Sequence, residues 1–213
     1  MRAPVYDLHP SNLLTYASLF AGLGAIAAAR GYGSAAAAGA LLALAALADT
    51  FDGRIARRFR RSERQGQLGR ELDSLVDGIV FGLAPVVVLE VLPGRANELS
   101  AALWWAAAFF YVLATVTRLS FYNVEGDRAG FVGLPTPAAA LIWSTCLLWP
   151  SPPWLVPALF ICVGAAMIWP VAIPRPRAAG LAAFALWAVS LVTLHAARLI
   201  GADPYCYFLR VYL

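Results

Sequence analysis

An all-α bundle that crosses a membrane several times is what this sequence predicts, on three observations. Of its 213 residues, 61% are hydrophobic and only 13% are charged, about half the charge of a soluble domain. All sixteen basic residues are arginine, and seven of them lie between Arg54 and Arg70. The rest of the chain reads as successive apolar runs interrupted by Gly, Pro or charge, as hydrocarbon demands of segments that must satisfy their own backbone.

In order, the spans are expected near Leu13–Ala29, Ser34–Ala48 continuing through Phe59, Leu72–Leu92, Ala101–Phe121, Thr136–Trp149, Trp154–Ile173 and Ala179–Ile200. The first follows a Ser/Asn helix start at Ser11 and Asn12. The fifth is short for a bilayer and suits either little tilt or a start inside a re-entrant turn. Asp203–Leu213 resembles the opening of an eighth helix, either truncated or lying at the interface, since at 1.5 Å per residue it cannot cross about 30 Å of hydrocarbon. This gives about seven to eight transmembrane helices in a single domain, residues 1–213.

Orientation follows from the arginines. Arg57, Arg58, Arg60, Arg61 and Arg64 follow the second span, Arg128 the fourth, and Arg175 and Arg177 the sixth; the opposite side holds Arg30, Arg95 and Arg198. The positive-inside rule places the N-terminus and the Asp/Arg-rich region in the cytoplasm. Trp104, Trp105, Trp149, Trp154, Trp169 and Trp187 sit mostly near span ends, where interfacial aromatics belong. The basic excess suits a membrane surface and an anionic phosphate ligand; no RNA-binding signature accompanies it, and no nucleic-acid partner is expected. Cys146, Cys162 and Cys206 have no paired spacing and read as small buried hydrophobes. The opening MRAPVYDLHPSNLL lacks a signal-peptide pattern and reads as a mature start.

The chemistry is concentrated between residues 49 and 77. Asp49 and Asp52 are i, i+3; Asp73 and Asp77 are i, i+4, so each pair shares a helix face. Four aspartates on consecutive helices at membrane depth need a compensating cation, and hard oxygen donors suit Mg²⁺ or Mn²⁺. Gly53 and Ala56 remove bulk beside Asp52, Gly69 opens the facing helix before Asp73, and Arg57 offers a planar fork for phosphate oxygens.

These residues carry a resemblance to the CDP-alcohol phosphotransferases, whose signature reads D-x2-D-G-x2-A-R followed by G-x3-D-x3-D. Asp49, Asp52, Gly53, Ala56, Arg57, Gly69, Asp73 and Asp77 match every named position. Eleven residues separate Arg57 from Gly69, a longer gap than the family's usual one, with the extra residues in the arginine-rich loop. The resemblance implies two divalent cations, Mg²⁺ or Mn²⁺, held by the four aspartates against the pyrophosphate of a CDP-lipid. It implies that Asp77 accepts the proton of the acceptor alcohol, that CDP-diacylglycerol is the donor, and that the protein is a homodimer in the cell's inner membrane. Pro10-Ser-Asn12-Leu-Leu-Thr15 is similar to the P-N-x-L-T segment that contributes to the family's nucleotide pocket, so Asn12 and Thr15 join Asp49, Gly53, Ala56, Arg57 and Gly69 as expected CDP-lipid ligands.

Three further strings resemble the phosphatidylserine synthases of bacteria and archaea. They are Gly69-Arg-Glu-Leu-Asp-Ser-Leu-Val-Asp-Gly-Ile-Val-Phe-Gly-Leu-Ala-Pro85, Arg118-Leu-Ser-Phe-Tyr-Asn123 and Gly133-Leu-Pro-Thr-Pro-Ala-Ala-Ala140. In the second string the family's other Arg is replaced here by Ser120 or Phe121, depending on alignment. The resemblance implies L-serine as acceptor, with Arg118 paired to its carboxylate and Asn123 assisting. An acceptor such as inositol phosphate or glycerol phosphate is the nearest alternative, and a cation transporter is the alternative from another class. His9 is expected at the surface or interface, and His195 as a packed residue of the last span.

Overall fold

The computed structural model describes residues 8–92, 101–125, 131–173 and 178–201. Among them seven helices form an all-α membrane-type bundle, with one pair of two-residue strands at an end. A 3₁₀ turn over Pro10–Asn12 leads into α1 (Leu13–Tyr32). Gly33, at φ +60°, ends that helix in the left-handed conformation that costs glycine no steric strain. Ser34 then caps α2 (Ala35–Ala56), its Oγ accepting the Ala37 N–H at 3.1 Å. The two-residue turn makes α1 and α2 antiparallel neighbours, and alanines fill their seam: Ala25, Ala28, Ala29, Ala38 and Ala45 are all buried. Small side chains let backbones approach where lipid supplies no hydrophobic drive between helices. The Ser18 hydroxyl adds a 3.2 Å bond across the seam to the Ala45 carbonyl.

The third helix, α3 (Glu63–Val91), begins nine residues before the span expected at Leu72. Its charged first turns carry no apolar run, so hydropathy misses them, but a reciprocal capping box starts the helix. Ser62 Oγ accepts the Gln65 N–H at 3.3 Å and Gln65 Oε1 accepts the Ser62 N–H at 3.0 Å. Directly after Asp77 the helix widens into a π segment, Gly78–Leu83, where the Ala84 N–H reaches back to the Ile79 carbonyl.

α4 (Ala101–Glu125) packs along α6 (Leu155–Ile168), while α5 (Thr136–Cys146) and α7 (Ala178–Leu199) lie against α2. The centre is an aromatic cluster: Tyr111, Trp143 and Phe160 are fully buried, with the Trp143 and Phe160 rings 4.7 Å apart. The Tyr111 hydroxyl donates to the Phe81 carbonyl inside the π segment and accepts from Trp143 Nε1 at 2.9 Å. Tyr111→Phe keeps the ring contacts and removes the donor, so it should cost about 1–3 kcal/mol through the orphaned carbonyl and indole N–H. A thermal unfolding midpoint in detergent, compared with wild type, checks this.

Strand β1 (Phe131–Val132) pairs antiparallel with β2 (Ala172–Ile173), Phe131 opposite Ile173 and Val132 opposite Ala172. Five helical segments are long and apolar enough to cross a membrane: Pro10–Tyr32, α2, α3, α4 and α7. α5 and α6, with 11 and 14 residues, cover about 17 and 21 Å. Large apolar side chains such as Phe20, Phe109 and Leu186 point outward, as a lipid-facing surface requires. The expected helix at Asp203–Leu213 lies outside the described residues.

Candidate metal and acceptor site

The start of α1, the end of α2, the first half of α3, the end of α4 and the start of α5 meet at one end of the bundle. Asp49 and Asp52 occupy the last turns of α2, and Asp73 and Asp77 face them from α3. One carboxylate oxygen from each of Asp49, Asp52 and Asp73 lies within 4.8 Å of the others. Octahedral Mg²⁺ or Mn²⁺ holds oxygens at about 2.1 Å and hence about 3–4 Å from one another, so a small side-chain rotation closes the trio on a cation. The donor set fits. So does an orphaned atom, because Asp73 Oδ1 is buried with no hydrogen-bond partner, an arrangement that costs free energy unless a ligand supplies the missing partner.

Asp77 is outside that trio. Its carboxyl group lies beside that of Asp49, and only 8% of the residue is exposed. Oδ2 accepts a 2.9 Å hydrogen bond from Thr136 Oγ1, while Oδ1 is buried without a partner. Arg118, on α4, is equally buried and lies within electrostatic reach of Asp77. That guanidinium stacks 4.5 Å from the centre of the Tyr122 ring, a cation–π contact, and leaves Nε unpartnered. Asn123 is exposed at the outer edge, where its Oδ1 accepts from the Ser74 hydroxyl at 2.7 Å. The two expected acceptor residues are thus separated in depth: Arg118 adjoins the carboxylates, and Asn123 ties α4 to α3 at the rim.

Of the expected nucleotide residues, Thr15 bonds directly to Asp52: it is buried and donates to Oδ2 at 3.0 Å. Asn12 is buried with Oδ1 accepting from Ser11 Oγ at 3.2 Å and Nδ2 unpartnered. A Cβ at Gly69 would stand 3.2 Å from Asn12 Oδ1, so the glycine is what lets α3 pass so close. Gly53 is exposed, and Arg57 folds back until its Nη1 is 4.0 Å from where a Gly53 Cβ would be. Ala56 is buried, keeping α2 slim at the same level. His9, expected at the surface or interface, is half-buried: its ring accepts from the Ser11 N–H at 3.2 Å and meets Phe59 edge-on at 5.8 Å. His195 is fully buried and bonded to the Ser144 carbonyl at 3.0 Å, the packed role expected of it.

Sequence reasoning missed Thr136 and Tyr122. Thr136 occupies the unspecified position of the Gly133-Leu-Pro-Thr-Pro string, 59 residues from its partner Asp77, and no local spacing connects the two.

The family profile of CDP-alcohol phosphatidyltransferase matches residues 8–194. A CDP-diacylglycerol–serine O-phosphatidyltransferase of Mycobacterium leprae is 38% identical over 149 residues, covering 66% of this chain and 46% of that protein. One of the same name from Helicobacter pylori is 33% identical over 148 residues, 68% of this chain and 59% of that protein. An archaetidylserine synthase of Methanothermobacter thermautotrophicus is 34% identical over 152 residues, 71% of this chain and 63% of that protein. The chain spans about half the length of the curated relatives it matches first. With a matched profile across most of its length, the chain belongs to the CDP-alcohol phosphatidyltransferase family.

Proposed function

We propose that this chain transfers the phosphatidyl group of CDP-diacylglycerol to the hydroxyl of L-serine, giving phosphatidylserine and CMP. The observation that carries the reading is the pairing of a three-aspartate cluster with a fourth buried aspartate that adjoins Asp49, keeps one oxygen unpartnered and lies within electrostatic reach of a buried arginine. All three relatives named above carry serine in their names, which favours an acceptor bearing a carboxylate.

Asn12 and Thr15 line the pocket for the cytidine end, and the bare backbone of Gly53 and Gly69 lets the diphosphate approach. Arg57 meets phosphate oxygens at the mouth. Asp49, Asp52, Asp73 and Asp77 would hold two divalent cations, Mg²⁺ or Mn²⁺, which supply charge neutralisation at the diphosphate. Arg118 takes the serine carboxylate and so aims the hydroxyl at the lipid-bearing phosphorus, with Asn123 at the entrance. Asp77 Oδ1 accepts the hydroxyl proton as the new P–O bond forms and the bond to CMP breaks. The diphosphate is drawn from membrane lipid on the cytoplasmic side, and the working unit is a homodimer.

The test is a radiolabel transfer assay on purified protein in detergent. CDP-diacylglycerol is offered with L-serine, inositol phosphate or glycerol phosphate in turn, with Mg²⁺ or Mn²⁺. Metal-dependent phosphatidylserine formation that Asp77→Asn reduces by at least about 10³-fold is the expected result, the scale of losing an essential proton acceptor. Product with another acceptor would replace serine and remove the role given to Arg118. No CMP release with any alcohol would end the reading.

A further inference from the structure

A proton acceptor works best when one carboxylate oxygen is held and the other left open. The hold on Asp77 comes from a distant part of the chain. Thr136 Oγ1 donates to Oδ2 at 2.9 Å, both residues are buried, and Oδ1 has no partner. Thr136 is the first residue of α5, set between Pro135 and Pro137. Pro135 lies at φ −62°, ψ 142°, and the two rings leave the backbone little freedom around the hydroxyl.

The strap that leads into Thr136, Phe131–Pro135, is fastened at several points. The Gly133 N–H donates to the Val171 carbonyl and the Leu134 N–H to the Ala166 carbonyl, each at 2.9 Å. Gly133 has φ +69°, and a Cβ there would fall 2.2 Å from the Met167 carbonyl oxygen, so the strap lies flush on the end of α6. The β1–β2 pairing fixes its start. From the other side the Tyr122 hydroxyl donates to the Val132 carbonyl at 2.8 Å and accepts the Val132 N–H. Tyr122 is also the ring on which Arg118 stacks. One chain of contacts therefore runs from Arg118 through Tyr122 and the strap to Thr136 and back to Asp77.

We propose that Thr136 is a positioning residue for the transfer, locking Asp77 through Oδ2 so that Oδ1 stays aimed at the acceptor hydroxyl, and that Tyr122 sets the strap's register. This rests on the reading of Asp77 as proton acceptor. The arrangement predicts a loss of turnover without a loss of lipid binding or of the cation held by Asp49, Asp52 and Asp73 when the hydroxyl is removed.

Thr136→Val keeps the shape and deletes the donor. It should lower kcat about 10–100-fold, the range for outer partners of a reacting group, with KM for CDP-diacylglycerol within about twofold of wild type. Mn²⁺ bound by the Asp49, Asp52 and Asp73 cluster of the substrate-free protein, followed by electron paramagnetic resonance, should persist. Thr136→Ser should return kcat to within a few fold of wild type. Tyr122→Phe, which keeps the ring under Arg118 and frees the strap, should lower kcat in the same direction, and it decides the matter if Thr136→Val does not fold. Wild-type kcat in folded Thr136→Val, or in Tyr122→Phe if that variant has to decide, overturns the proposal. So does a Thr136→Ser as impaired as Thr136→Val, because the methyl group rather than the hydroxyl would then be what matters. Asp77→Asn assayed alongside separates the two levels: substantial turnover in that variant would remove the underlying assignment of Asp77, whatever Thr136 does.

Discussion

Asp49→Asn should lower transfer by about 10²–10³-fold, the range for removing one preorganised charge-stabilising group, and should abolish tight divalent-cation binding. Asp49 is the residue to choose because it belongs to both halves of the site. It shares the three-oxygen cluster with Asp52 and Asp73, and its carboxyl lies beside that of Asp77. Asparagine has the same shape, so α2 keeps its packing while one negative charge disappears. The effect on stability should have the opposite sign without metal. With a chelator present, crowded carboxylates oppose folding, so the variant's unfolding midpoint in detergent should equal or exceed wild type. On adding Mn²⁺, wild type should gain about 2.7 kcal/mol at a hundredfold excess over its dissociation constant, and the variant almost nothing. A variant that loses stability in chelator and keeps its response to Mn²⁺ would show that Asp49 is a structural residue, outside the cation site.

Gly39→Ala should be the most damaging substitution away from the site. A Cβ at Gly39 would fall 2.2 Å from His195 Nε2 and 2.3 Å from Cε1. The imidazole has nowhere to go: His195 is fully buried and bonded to the Ser144 carbonyl, and the Ser144 hydroxyl donates to the Gly39 carbonyl at 2.8 Å. These three residues join α2, α5 and α7, so either α7 is displaced or the bond to Ser144 is broken. Overpacking alone costs about 1–3 kcal/mol, and stranding buried polar groups adds about as much again. The expected outcome is a strongly lowered unfolding midpoint and poor recovery of monodisperse protein. The double variant Gly39→Ala/His195→Ala should be more stable than the sum of the single effects, since removing the ring removes the clash. Additive losses would show that the glycine matters for a reason other than this contact.

How much of this was legible in the sequence varied with the range of the interaction. Helix identity was, because a run such as Leu13–Ala29 has no alternative to burying its backbone bonds in a helix. The start of α3 was not legible as a span, because Glu63 and Arg64 look like loop to a hydropathy argument, although Ser62 and Gln65 carry the capping signal. The aspartate pairs were legible because i, i+3 and i, i+4 are local relations, and Asn12 and Thr15 entered through their resemblance to the family's first helix. The contacts of Thr136 with Asp77 and of Tyr122 with the strap were not, since they arise only once helices far apart in sequence have packed. Arg118 entered through the Arg118–Asn123 string, but its depth beside Asp77 and its separation from Asn123 needed the fold. The buried imidazole at Gly39 belongs to the same class of long-range fact.

The π segment in α3 gives the family signature an extra condition. One residue more per turn rotates everything beyond it by about 100° relative to a regular helix. Gly78–Leu83 therefore acts as a coupling between two half-helices whose faces are set independently: the first half aims Asp73 and Asp77, and the second half fits Val86, Val88 and Leu89 into the core. A homologous chain one residue shorter between Asp77 and Pro85 would retain every signature aspartate, glycine and arginine, yet an unbroken α-helix there could not satisfy both faces at once. The distance from Asp77 to Pro85 thus belongs in any pattern used to recognise working members, on the same footing as the carboxylates themselves.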